Sequence, residues 1–236
     1  MRKSSMMKKL KLEEASFVKI QEAVKKAEKN TTGEIAVAVT PESARYSVYE
    51  LGFSLFIGMA VFAFMLPFSA SLSDMLDRWY WGAPAWQLPA FFGITSFGLV
   101  GIFFLVANIP FIDRLIIPKD VRAKTVYNRA LRHFVESGVY ATNNRSGILI
   151  FVSYMEREVR ILADTGINEK IPHQLWNLIA VDLAEGLGTE DSAGAFIRAI
   201  ERCGELLEEH FPLEEGAENP DELPDGLIIL GDDECL

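Results

Sequence analysis

Cysteine and histidine are scarce in this chain, and neither is arranged for metal or thiol chemistry. Only Cys203 and Cys235 occur, with no CxxC and no ligand-like spacing. They are expected to be reduced thiols, which suits a cytoplasmic setting better than an exported one. His133, His173 and His210 are isolated in sequence and are expected at the surface or at helix ends. A basic surplus is also missing. The 236 residues hold 23 Lys and Arg against 33 Asp and Glu, for a net charge of −10. That argues against nucleic acid as a partner, because a basic face is the expected footprint. No secretory signal is expected. Basic residues from Arg2 to Lys11 are followed by Glu13, Glu14 and Lys19 rather than by an apolar run.

Charge itself is missing from two stretches. Leu51 to Leu72 has none, and Trp79 to Ile112 has none. A 22-residue helix is about 33 Å long, enough to cross a hydrocarbon core of about 30 Å. Two spanning helices are expected, over about 51–72 and 89–112, within an insertion at 48–112. Pro84 and Pro89 turn the chain before the second. The link holds Asp74, Asp77 and Arg78 with Trp79, Tyr80, Trp81 and Trp86, and such aromatics suit a membrane–water boundary. Arg45 precedes the first helix, and Arg114, Lys119, Arg122 and Lys124 follow the second. The positive-inside rule puts both flanks in the cytoplasm. The expectation is a multi-pass protein of the inner (cytoplasmic) membrane with both termini inside. Asn108 is expected at the inner interface. Ser54 and Gly58 make a small-xxx-small pair that could join copies, so a homo-oligomer, even a pore, is one alternative.

The flanks carry periodic patterns. Leu12 to Lys29 reads as an amphipathic helix through Phe17, Ile20, Val24 and Ala27, and Glu34 to Thr40 as a strand. After the insertion, Asp120 to Glu136 reads as a helix with Tyr127, Ala130, Leu131 and Phe134 inward. Ile148 to Ser153 is a continuous apolar run, as in a strand covered on both faces. Val159 to Ala163 is a hairpin partner. Pro172 opens a helix carrying Leu175, Ile179 and Leu183. Thr189 to Glu209 is the last helix, with Phe196, Ile200 and Leu207 inward. One helix and one strand before residue 41 cannot bury their own apolar faces. A single α/β domain, 12–46 plus 114–212, is therefore expected around the insertion. The acidic tail, 213–236, has no Lys or Arg and is expected to be mostly solvated. Leu223 and Pro224 should pack on the domain, and Leu227 to Leu230 form an apolar stretch that could pair or bind.

Three stretches carry a resemblance. Thr32-Gly-Glu-Ile-Ala-Val37, Asn144-Arg-Ser-Gly-Ile-Leu-Ile-Phe-Val152 and Val159-Arg-Ile-Leu-Ala-Asp-Thr-Gly-Ile-Asn-Glu-Lys-Ile171 resemble the TPM domain family. Ala195-Phe196 to Phe211-Pro212 and Asn219 to Pro224 resemble a bacterial branch of it. The resemblance implies a three-layer α/β/α sandwich, here interrupted by a transmembrane hairpin. It also implies divalent-cation binding in some members and a phosphatase label. Many members carry a terminal anchor behind a signal peptide; here the anchor is internal.

The candidate site is the loop Asp164 to Glu169, which follows a strand's carboxyl end, where ligand sites in open α/β sheets often form. Its two carboxylates, with Glu34 as a distant third, could hold Ca²⁺ or Mg²⁺ through hard oxygen ligands. The alternative is a structural loop whose acid caps the following helix. No complete catalytic set is present. Neither cysteine heads a Cys-x5-Arg loop, and there is no Walker loop or serine elbow. The expectation is an accessory or interaction module with a membrane-protein partner; the alternative is a cation-dependent phosphatase.

Overall fold

The computed structural model describes residues 3–79, 84–107, 110–214, 219 and 222–231. Tyr80, Trp81, Asn108 and Cys235 lie outside the described residues. The chain divides into two compact units, one of residues 1–45 with 120–236 and one of residues 46–119.

The first unit is built on β1 (Glu34–Thr40) and β2 (Gly147–Ser153), every residue of which is buried. They pair in parallel from Glu34 opposite Gly147 to Thr40 opposite Ser153. β3 (Glu158–Ala163) runs antiparallel to β2 and forms one edge. β4 (Leu227–Ile229) runs parallel to β1, with Val37 opposite Leu227, and forms the other. The strand order is β3-β2-β1-β4.

Side-chain alternation gives the sheet two apolar faces. On one face Ile35, Val37, Val39, Ile148, Ile150 and Val152 join the buried sides of α2 (Glu14–Glu28), α9 (His173–Leu187) and α10 (Ser192–His210). The short α1 (Lys3–Lys9) adds Met6 to this core. On the other face Ala36, Ala38, Leu149 and Phe151 meet Val126, Ala130 and Phe134 of α7 (Lys119–Glu136). The small Ala36 and Ala38 leave room for α7. Helices therefore cover both faces of a mixed sheet, as the α/β expectation required.

Parallel neighbours need a crossover, and α7 supplies it between β1 and β2. Its inward row is Val126–Ala130–Phe134, at i, i+4 and i+8. Tyr127 and Leu131, expected inward, are 45% and 44% exposed. One residue around a helix is about 100° of rotation, so the shift moves them off the sheet. The shift also buries His133, whose ring centroid lies 6.2 Å from that of Phe151. His133 is thus a helix-end histidine, in the last turn of α7, but it is buried rather than at the surface. His173 and His210 do sit at the start of α9 and the end of α10.

The tail differs most from expectation. Leu227 and Leu230 are buried, and Leu230 N–H donates to Val39 O at 2.9 Å. An acidic composition suggested solvation. Unpaired backbone groups along β1 and an apolar four-residue run outweigh it, because a free edge of a buried strand leaves donors and acceptors unsatisfied.

The second unit begins with α3 (Ser47–Met65). A 3₁₀ turn at Leu66–Phe68 follows, where Pro67 removes an intrahelical donor, and then α4 (Ser69–Trp79). α5 (Gln87–Ala107) accepts Pro89 in its first turn, where backbone N–H groups have no intrahelical partner. α6 (Pro110–Ile116) completes the unit. α3 and α5 are antiparallel neighbours. A Cβ on Gly58 would lie 2.4 Å from Val100 Cγ2, and the Phe62 and Phe92 rings meet edge-on with centroids 5.7 Å apart. Ser54 is fully buried, and its hydroxyl donates to Glu50 O. The Ser54/Gly58 pair is thus used within the chain, as the notch that brings these two helices together.

Candidate functional site

Acidic groups gather at the edge of the sheet where β1 and β2 begin. Glu34 opens β1 and is 1% exposed. Its Oε1 accepts from Asn219 Nδ2 at 2.8 Å, and its Oε2 from Leu223 N–H at 3.3 Å. Glu28, near the end of α2, accepts from Ile35 N–H at 2.6 Å. Burial, opposed by that hydrogen bond and reinforced by Glu34 and Asp225, pushes its carboxyl up to about 9. Asp225 is itself paired with Lys25 at 3.2 Å.

Asp164 lies in the same row of the sheet. Gly147 is opposite Glu34, and Gly147 O accepts from Asp164 N–H at 3.0 Å. The Asp164 carboxylate caps the one-turn helix α8 (Thr165–Asn168): Oδ1 accepts from Thr165 N–H at 2.6 Å and from its hydroxyl at 3.1 Å. Oδ2 is buried with no hydrogen-bond partner among the described residues. Gly166 packs on the preceding turn, where a Cβ would lie 2.8 Å from Arg145 O. Glu169, the C-cap of α8, is exposed. Asp164 and Glu34 therefore share an edge, each with a structural partner, and Glu169 points to solvent. Among the described residues no group of three or more His, Cys, Asp or Glu side chains is arranged to hold a metal ion.

The sequence placed this loop at a strand's carboxyl end. That is true of β3, but β3 is antiparallel, so the loop lies at the amino ends of β1, β2 and β4. Crevices in open α/β sheets form beyond the carboxyl ends of the parallel strands. At that opposite edge Ser153 ends β2. Its hydroxyl lies 2.8 Å from that of Ser43 and donates to Glu156 Oε2 at 2.5 Å, while Glu156 Oε1 accepts from Ser43 N–H at 2.9 Å. Beside this buried network is a cavity of about 320 Å³ lined by the ends of α1, β2 and α9 and the start of β3. Its polar lining includes Lys9, Lys11, Tyr154 and Arg157, none of which stood out in the sequence. The signal available was positional: a basic pair, Lys9 closing α1 and Lys11 just beyond it, and a Tyr and an Arg in the turn after a fully buried strand.

Cys203 faces the core of α10, and burial pushes its thiol up to about 12. It is a packing residue with no role as a nucleophile at neutral pH.

A four-stranded mixed sheet with helices on both faces defines an α/β domain. Residues 114–206 match the family model described as the TPM domain. The fold is similar to the NMR structure of BA42 protein from the psychrophilic bacterium Bizionia argentinensis. The TM-score is 0.53 at 17% identity, over 93% of this chain and 95% of that one. At that identity the likeness is one of fold. No curated protein matches the chain.

Proposed function

We propose that the chain is a membrane-anchored TPM-domain protein, held by α3 and α5 in the inner membrane, whose domain acts from the cytoplasmic side as an accessory or interaction module for a membrane protein. One observation supports it above others. Two helices long and apolar enough to span a bilayer have only 11% of their apolar windows buried. A core helix of a water-soluble protein would be mostly covered. Phe56, Ile94, Phe97 and Leu105 are 60%, 75%, 76% and 74% exposed. Leaving such a side chain in water forgoes roughly 1.5–3 kcal/mol, and lipid removes that cost. The helices have 19 and 21 residues, so at 1.5 Å per residue they are about 28 and 32 Å long, close to the bilayer core.

Orientation rests on Arg45, Arg114, Lys119, Arg122 and Lys124 flanking the pair, against Arg78 alone in the link. The test is fractionation with protease. The chain should stay with membranes through an alkaline carbonate wash, and a C-terminal tag should be cut in inverted vesicles but not in spheroplasts. Release by carbonate would sink the anchor, and cleavage in spheroplasts the orientation. The module role predicts a repeatable partner after mild detergent extraction; repeated recovery of the chain alone would count against it.

We also propose that the domain binds Ca²⁺ or Mg²⁺ at Asp164, whose Oδ2 is a buried carboxylate oxygen without a hydrogen-bond partner among the described residues. Ca²⁺ or Mg²⁺ bound there should raise the unfolding temperature of the domain, and Asp164→Asn should abolish the rise. No rise in the unaltered chain would remove the cation.

A further inference from the structure

The cavity beyond β2 differs in charge from the rest of the chain, whose net charge is −10. Lys9, Lys11 and Arg157 line it with a single acid, Glu158, which already has Arg160 at 3.7 Å. Lys11 has Glu190 at 3.3 Å, but that carboxylate is 96% exposed, and such a pair holds a lysine weakly. The Lys9 ammonium sits 5.4 Å from the centre of the Tyr154 ring, which leaves it able to donate. A concave site lined by one sign of charge concentrates the opposite sign. Leu10, Val159 and Leu187 make an apolar wall beside the three cations.

The chain carries a segment that matches this lining. β4 runs parallel to β1 and β1 parallel to β2, so the backbone leaves β4 at the carboxyl edge of the sheet, where the cavity lies. Leu230 N–H donates to Val39 O, Val39 is opposite Val152, and Val152 lines the cavity. Strands lie about 4.8 Å apart, so β2 is about 10 Å from β4 across the sheet. The described residues end at Gly231, and Asp232-Asp233-Glu234-Cys235-Leu236 follow in sequence. Extended backbone from Gly231 to Glu234 reaches about 13 Å. That is enough to bring three acids to three cations.

We propose that residues 232–236 dock in this cavity within the same chain, with Asp232, Asp233 and Glu234 against Lys9, Lys11 and Arg157, and Leu236 against Leu10 and Leu187. Charge sets the match, since carboxylates and cations are equal in number. Order sets the direction: the acids come first after β4, and the apolar residues follow. The tether favours the chain's own segment, because a short link gives it an effective concentration in the millimolar range. A partner that binds at this carboxyl edge must then displace the tail. The inference is independent of the membrane and cation readings, since every residue in it belongs to the unit of residues 1–45 and 120–236.

The experiment is zero-length carbodiimide crosslinking of the full chain in neutral maltoside micelles, read by peptide mass. Lys9 or Lys11 should be joined to Asp232, Asp233 or Glu234 by an amide, with loss of water. Lys25 and Asp225, 3.2 Å apart, are the internal standard. Lys19 and Lys29, exposed and outside the cavity lining, give the background. Arg157→Gln, at an exposed position and expected to fold, should lower the tail crosslink about tenfold relative to the standard, the effect of losing one charge-assisted contact. In a mixture of unlabelled and isotope-labelled chains, both halves of each tail crosslink should carry the same label. Tail crosslinks to Lys9 and Lys11 no more frequent than those to Lys19 and Lys29, or unchanged by Arg157→Gln, would overturn the docking. Mixed-label pairs at the statistical frequency would assign the segment to a second copy and overturn the intrachain reading.

Discussion

Glu28→Gln should stabilise the sheet domain at neutral pH and flatten its pH dependence. Glu28 is 8% exposed, with Glu34 and Asp225 as neighbouring carboxylates and Lys25 bound to the latter. Its folded pKa is raised from 4.5 to about 9, chiefly by burial. The sign follows by linkage. The unfolded chain releases this proton near 4.5, whereas the folded chain keeps it to about 9. The contribution is fully present below 4.5 and is lost as pH rises towards 9, at about 1.4 kcal/mol per unit. At pH 7 the loss is about 3 kcal/mol, a large share of a typical domain's stability. Glutamine keeps the acceptor for Ile35 N–H and presents a neutral donor towards Asp225, as the protonated acid does. The assay uses Cys203, which is fully buried and should react with a thiol reagent only when the domain opens. Pulse labelling in urea, resolved by peptide mass and normalised to the unfolded chain at each pH, gives the stability. The two proteins should nearly agree at pH 5 and differ by a few kcal/mol at pH 8. Parallel profiles across that range would refute the argument that Glu28 is neutral in the folded state.

Other outcomes follow from single contacts. Leu227→Asp should detach β4 and cost about 2–4 kcal/mol by the same Cys203 assay, because it buries an unpaired charge or frees the edge of β1; an unchanged midpoint would mean the tail is not part of the sheet. Asp164→Ala should cost about 0.5–2 kcal/mol through loss of the α8 cap without added cation and more in Ca²⁺ or Mg²⁺; a cost independent of cation would leave capping as its only role. Gly58→Leu should lower the midpoint of α3–α5 unfolding in dodecyl sulfate by the equivalent of about 1–3 kcal/mol, since even a Cβ meets Val100; a neutral result would mean the helices do not approach there.

The sequence made the sheet core legible because both central strands are short apolar runs bounded by Gly33 and Pro41 or by Gly147 and the turn after Ser153. The inward rows of α2, α9 and α10 were legible for the same reason. α7 was not, because Tyr127 and Leu131 compete with Val126 and Ala130 as an apolar face, and only the sheet decides between them. β4 was hidden by its acidic surroundings, since pairing with a distant strand leaves no local mark. The candidate loop was found by its residues, but its edge was misjudged: the hairpin reading already made β3 antiparallel to β2, so its carboxyl end falls at the amino ends of the parallel strands. The cationic cavity was out of reach, because Lys9 and Arg157 are 148 positions apart in the chain and meet only through the fold.

The membrane anchor is tested most directly by solvent access to single cysteines in native membranes, with Cys203 and Cys235 replaced by serine. Phe97→Cys on α5 and Val135→Cys on α7 carry side chains that are 76% and 52% exposed in the protein alone. A water-soluble maleimide should label position 135 in inverted vesicles and leave position 97 unlabelled until detergent is added. Labelling of both at similar rates in intact vesicles would contradict the anchor.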